Sequence, residues 1–147
     1  MKKVPIYFFN EESNYKLKSL NQTRNWIKEA IESENYVLKS INFIFCSDNY
    51  LLKINQQYLN HDTYTDIITF DNSEIDNQIE SDIFISIERV KENSKAYKAR
   101  LNTELHRIII HGTLHLLGYK DKSLKEKELM TAKENEYLSR LNPNSIT

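Results

Sequence analysis

Apolar residues change their period along this chain, and the order of those periods limits the folds open to it. Val4–Phe9 is a short β-branched and aromatic run, ended by the polar stretch Asn10–Asn14, and reads as a strand. From about Tyr15 to Glu34, Leu17, Leu20, Trp26, Ile27, Ala30 and Ile31 recur at helical spacing. Ile41–Cys46 is an apolar run too short for a helix, and Ser47-Asp48 offers an N-cap for a helix through about Tyr58. Ile67–Phe70 and Ile83–Ile87 are two further strands, joined by the polar stretch Asp71–Ser81 as a loop that can close a hairpin. Helices follow over about Ile87–Arg100, from a cap at Asn102 or Thr103 to Gly118, and over Glu126–Leu141, leaving 142–147 as a flexible tail. Strands and helices do not alternate strictly. That points to an α+β domain, with about four strands in a mixed sheet and about five helices, rather than a doubly wound sheet.

A chain of 147 residues fits one domain with one core. No repeat, low-complexity tract or Pro/Gly-rich linker divides it, so 1–147 is taken as a single domain. No apolar run is long enough to span a bilayer. Met1-Lys2-Lys3 precedes only the short apolar stretch ending at Phe9, before Asn10, Glu11 and Glu12, so no export signal is expected and a cytoplasmic location follows. The lone Cys46 cannot form an internal disulfide and sits in a strand pattern, as a core residue does. A net charge of −1 does not mark a dedicated nucleic-acid binder, so any RNA contact must rest on a local patch.

The segment Ile110–Asp121 carries the chemistry. His111 and His115 stand one helical turn apart and about 40° around the axis, so both imidazoles can grip one ion. A catalytic zinc usually has three protein ligands and a water. Gly118, three residues after His115, can end the helix in the left-handed conformation and turn Asp121 back toward the histidines. The spacing parallels the metal helix of the zinc proteases, in which a third ligand follows a helix-ending glycine. The two glycines of the chain, Gly112 and Gly118, both lie here. Gly112 inside a helix costs roughly 1 kcal/mol against alanine, so something is expected to pack or bind close to the backbone beside His111. Gly112 also occupies the place of the glutamate base of H-E-x-x-H proteases, which turns the reading away from peptides. His106 points about 140° off the metal face, and His61 lies in a loop from which it could reach the site.

With its H-G-T-L-H-L-L-G-Y run from His111 to Tyr119, the chain resembles the YbeY family of bacterial rRNA maturation factors, zinc-dependent endoribonucleases marked by H-G-x-L-H-L-x-G-Y. Thr65–Phe70 is similar to the family's T-D-V-L-S-F strand, Ser81–Ser86 to its G-D-I-x-I-S strand, and Leu52–Tyr58 to the helix before them. The resemblance runs from about residue 40 to 140. It implies a zincin-like metal helix and one Zn2+ ion held by His111, His115 and Asp121. It further implies cleavage of single-stranded RNA in 16S rRNA 3′ end processing and ribosome quality control, with the small ribosomal subunit as partner. The family's third ligand is usually histidine, where this chain has Asp121. An arginine often follows the tyrosine of its helix, where this chain has Leu59, and Ser81 replaces a glycine.

On this reading the ion activates a water and polarises a phosphoryl oxygen. The general base is open; Asp66 and Glu104 are the candidates. Arg89, Lys91, Lys95 and Lys98 form a helix face that could receive phosphates. Glu88 and Glu92 alternate with them, as on a solvated face. The alternative is a metal-stabilised ribosome-assembly or RNA-binding factor without catalysis, which a closed four-ligand site would mark.

Overall fold

The computed structural model describes residues 3–141, so the tail expected over 142–147 lies outside the described residues. In chain order come β1 (Ile6–Glu11), α1 (Leu20–Ser33), β2 (Val37–Cys46), α2 (Asp48–Leu59), β3 (Ile67–Asp71), β4 (Gln78–Ser86), α3 (Ile87–Ala96), α4 (Leu101–Leu116) and α5 (Leu124–Leu138). The strands form one sheet in the order β1-β2-β4-β3. β1, β2 and β4 run parallel, and β3 returns along β4 as the antiparallel arm of a hairpin. This is the mixed α+β sheet with five helices implied by the periodicities. Among the described residues no helix is long and apolar enough to cross a membrane.

Strand alternation assigns the two faces. Ile6, Ile41, Phe43, Phe45, Ile83 and Ile85 are buried against the apolar stripes of α1, α4 and α5 in the main core. Each such side chain contributes about 1.5–3 kcal/mol by leaving water. On the opposite face, Leu51 and Ile54 of α2 pack with Cys46, Ile68, Phe70 and Phe84. Burial there pushes the Cys46 thiol pKa up to about 12, so Cys46 is a packing residue.

Several boundaries differ from the sequence reading. β4 starts at Gln78, inside the stretch expected as a loop. Its early residues Gln78, Glu80 and Asp82 are polar, but Ile79 and Ser81 face inward, β2 pairs along the whole stretch, and β3 joins on the other side from Ser81. A central strand is held by its neighbours whatever its outward side chains prefer. β2 also starts early, at Val37, where its first residues pair with β4. α1 starts at Leu20 rather than Tyr15, because Tyr15 and Leu17 reach the core from an extended lead-in, with the Tyr15 ring edge-on to Phe45 at 5.5 Å. α3 ends at Ala96, and Lys98 beyond it takes φ 53°. The cap position of α4 is Arg100, so Asn102 and Thr103 lie within its first turn. α5 starts at Leu124, where Ser123 and Glu126 form a reciprocal capping box.

α4 positions the site, and Gly112 lets it approach the sheet. A Cβ on Gly112 would stand 2.8 Å from Ile67 Cδ1 and 3.2 Å from Thr69 Oγ1. The space expected beside His111 is therefore filled by side chains of β3.

Candidate metal centre

His111 and His115 project from the last turns of α4, and the chain then reverses. Tyr119 N donates to Leu114 O at 3.0 Å and Gly118 N to His115 O at 3.1 Å, with Gly118 at φ +98°. This paired closure needs a residue in the left-handed region, which glycine supplies without a Cβ clash. Glu126 Oε1 fixes the far end of the short connection by accepting from Lys122 N and Ser123 N. Asp121 is thus held between a closed helix end and a capped helix start.

The three side chains converge. Nε2 of His111 and Nε2 of His115 are 3.1 Å apart, and Asp121 Oδ2 lies 3.3 Å from each. Tetrahedral zinc with bonds of 2.0–2.1 Å separates its ligand atoms by about 3.3 Å, so the triangle has the size of one zinc face. The donor chemistry fits as well. His111 Nδ1–H donates to Glu134 Oε2 at 2.7 Å, and His115 Nδ1–H donates to Tyr119 O at 3.0 Å. With both protons on Nδ1, two nitrogen lone pairs and a carboxylate oxygen face one another, an arrangement that a cation stabilises. Among the described residues no fourth His, Cys, Asp or Glu joins this group.

Neighbouring helices brace both histidines. Arg107 Nη1 donates to Glu134 Oε1 at 2.8 Å, and its Nη2 donates to Asn135 Oδ1 at 2.8 Å. Burial opposes charge on the His111 imidazole. The Glu134 hydrogen bond and the charges of Glu134, Asp121 and Asp66 outweigh it and push the pKa up. On the other side, Tyr119 OH donates to Glu34 Oε1 at 2.7 Å, and Tyr137 OH and Lys133 Nζ engage Glu34 Oε2. Tyr119, whose carbonyl receives the His115 proton, is thereby tied to α1 and α5.

The three side chains open on a cleft of about 860 Å³, bounded by β3, the connection from Leu59 to Asp66, and the segment Asp121–Lys122. Asp66 lines this cleft, its Oδ2 accepting from Asn93 Nδ2 at 3.3 Å. Burial pushes its pKa up, against the hydrogen bonds and the His111 charge that pull it down. Glu104 does not line the cleft; it borders a second cavity behind His111, between α4 and its neighbours. Its pKa is also raised, first by burial. His61 and Leu59 both line the metal cleft, and Lys122 is the basic side chain at its rim.

Other sequence candidates lie elsewhere. Arg89 is bound to Asp48 at 2.6 Å and to Glu92 at 3.1 Å, with its guanidinium over Tyr64. Lys91, Lys95 and Lys98 are exposed and outside the cleft lining. His106 is buried against Trp26, its Nδ1 on Asn102 O and its Nε2 on Thr23 Oγ1, consistent with its position off the metal face. The sequence reading missed Glu134, though a signal was present. Met130, Glu134 and Tyr137 form the buried stripe of α5, and a carboxylate in such a stripe needs a buried partner.

The chain is similar to known proteins over most of its length. The family model "Endoribonuclease YbeY" matches residues 7–142. An endoribonuclease YbeY of Cytophaga hutchinsonii is 52% identical over 95% of this chain and 97% of its own length. That of Christiangramia forsetii is 50% identical over 95% and 96%. The solution structure of a protein from Thermotoga maritima superposes with a TM-score of 0.66 at 28% identity, covering 92% of this chain and 88% of that one.

Proposed function

This chain belongs to the endoribonuclease YbeY family, and we propose that it cuts single-stranded RNA in 16S rRNA 3′ end maturation with one zinc ion held by His111, His115 and Asp121. As an endoribonuclease it is a hydrolase whose substrate is RNA. The metal assignment is carried by one observation, the 3.1–3.3 Å triangle of ligand atoms at the cleft. Zinc bound there supplies a Lewis acid for the scissile phosphate and lowers the pKa of water toward about 7.

The remaining roles fall to the chain's own side chains. His111 and His115 hold their protons on Nδ1 and act as ligands, not as proton carriers. Asp66 is the proton-transfer group of the cleft, since a carboxylate with a raised pKa exchanges protons closer to neutral pH. Glu104, in the adjoining cavity, is the less favourably placed of the two candidates. Lys122 meets the phosphate backbone at the cleft, and Lys91, Lys95 and Lys98, exposed on α3 and just beyond it, offer a separate phosphate contact outside the cleft. Small ribosomal subunits in the cytoplasm supply the substrate. A non-catalytic assembly role is less well supported, because three protein ligands facing a cleft leave a position for water.

The test uses purified protein on single-stranded and duplex RNA, with and without chelator, alongside metal analysis. One zinc per chain and chelator-sensitive cutting of the single strand are expected, both lost in His115→Ala. Cutting at wild-type rate by His115→Ala would sink the proposal. Precursor 16S rRNA, naked and in small subunits, then tests the processing step: cleavage at sites unrelated to the mature 3′ end rejects it.

A further inference from the structure

We infer that Glu134 is a positioning residue of the metal centre, which, clamped by Arg107, fixes the His111 imidazole with Nε2 presented to the cation. The inference rests on the metal reading above and extends it to a helix that contributes no ligand. A carboxylate can only accept, so the 2.7 Å contact with Glu134 Oε2 places the His111 proton on Nδ1 and the lone pair on Nε2. The Glu134 side chain is 9% exposed, and such burial of a carboxylate requires its oxygens to be occupied. They are: Arg107 takes Oε1 and His111 takes Oε2. The Arg107 fork also spans to Asn135, so it grips two successive residues of α5 and fixes the turn from which Glu134 projects.

A tie between α4 and α5 would explain the Arg107 contact alone. It does not account for the second oxygen, which is spent on an imidazole whose other nitrogen faces His115 and Asp121. The two histidines are also braced unequally, His111 by a carboxylate and His115 by the neutral carbonyl of Tyr119. A carboxylate behind an imidazole raises its basicity as a ligand, and loss of such a partner typically costs 10–100-fold in metal affinity.

The experiment compares Glu134→Ala and Glu134→Gln with wild type. Zinc affinity is read by chelator competition, and ring tautomers by 15N NMR of histidine-labelled, metal-free protein near pH 9, where imidazole is neutral. Glu134→Ala is expected to bind zinc roughly 10–100-fold more weakly and to lose the Nδ1–H form at His111 while His115 keeps it. Glu134→Gln keeps a single acceptor oxygen, which Arg107 claims because a guanidinium can only donate. Its NH2 then faces His111 Nδ1, so this variant is expected to switch His111 to the Nε2–H form and to bind zinc more weakly than wild type. A purely structural role would lower the melting temperature of Glu134→Ala and leave its zinc affinity and His111 tautomer at wild-type values. That result overturns the inference. If Glu134→Ala does not fold, the near-isosteric glutamine variant decides, and wild-type zinc affinity with the Nδ1–H form kept at His111 in it is equally fatal. Wild type that takes up no zinc overturns the metal reading and the inference with it. Wild type that binds zinc no better than Glu134→Ala overturns the inference alone.

Discussion

Gly118 ends α4 in the left-handed turn after which the chain brings Asp121 back to the two histidines. Nothing lies within 4 Å of where its Cβ would be, so its value lies wholly in the backbone, at φ +98°. Gly118→Ala is therefore expected to cost about 1–2 kcal/mol in a chemical-denaturation midpoint, the price of a left-handed alanine. The strained turn should also displace Asp121 and weaken zinc uptake, while Gly118→Asn, which tolerates that region better, loses less of both. Wild-type zinc affinity in Gly118→Ala would show that the turn does not set the third ligand. This part of the site was readable because it is local: two histidines on one helix, and a glycine that ends it. Glu134, Tyr119 and Glu34 were not, because their contacts depend on how α5 and α1 pack on α4. Asp66 was named only as a carboxylate; that it lines the cleft whereas Glu104 borders the cavity behind His111 depends on how the chain before β3 packs beside α4.

Between elements, α4 comes close to β3 at Gly112. Gly112→Ala gains roughly 1 kcal/mol of helix propensity. It also places a methyl 2.8 Å from Ile67 Cδ1, and overpacking of that kind costs about 1–3 kcal/mol. A net destabilisation of about 1 kcal/mol is expected, partly relieved when Ile67→Val removes the obstructing carbon. A double variant no more stable than Gly112→Ala would locate the conflict elsewhere. The contact of α1 with α4 carries a pH signature of its own. Burial lowers the pKa of His106, against the hydrogen bond to Asn102 O that raises it. Below about pH 6.5 the unfolded chain binds a proton there that the folded one still refuses, so stability falls with pH through that window until the folded pKa is reached. The slope from this group is at most about 1.4 kcal/mol per pH unit, and His106→Gln should remove it from melts between pH 7.5 and 5.5. Equal slopes in both proteins would contradict the assignment. The same packing logic explains which elements were legible. Ile41–Cys46 and the stripe of α1 declare themselves by period, whereas Gln78–Asp82 is a strand because β2 pairs along it and β3 joins at Ser81 and Asp82.

At the scale of the whole molecule, the placement of the ligands predicts how the fold responds to metal. His111, His115 and Asp121 all fall within one short stretch of chain, so an ion there closes a small loop and cross-links no distant elements. The main core joins the sheet to α1, α4 and α5 through residues that touch none of the ligand atoms, such as Phe43, Phe45, Ile27 and Ile83. Chelation is thus expected to leave the chain folded, with unchanged far-UV circular dichroism, in contrast to small zinc domains that unfold without metal. Stability should still change by linkage, since the ion binds the folded chain and hardly the unfolded one. With free zinc at about 100 times its dissociation constant the gain is about 2.7 kcal/mol. In a domain of this size that raises the melting temperature by about 8–10 °C. His115→Ala, lacking a ligand, should melt at the same temperature with zinc or chelator. Unfolding of the wild type on chelation would mean that the metal organises the core. An equal zinc response in His115→Ala would mean that the stabilising ion sits elsewhere.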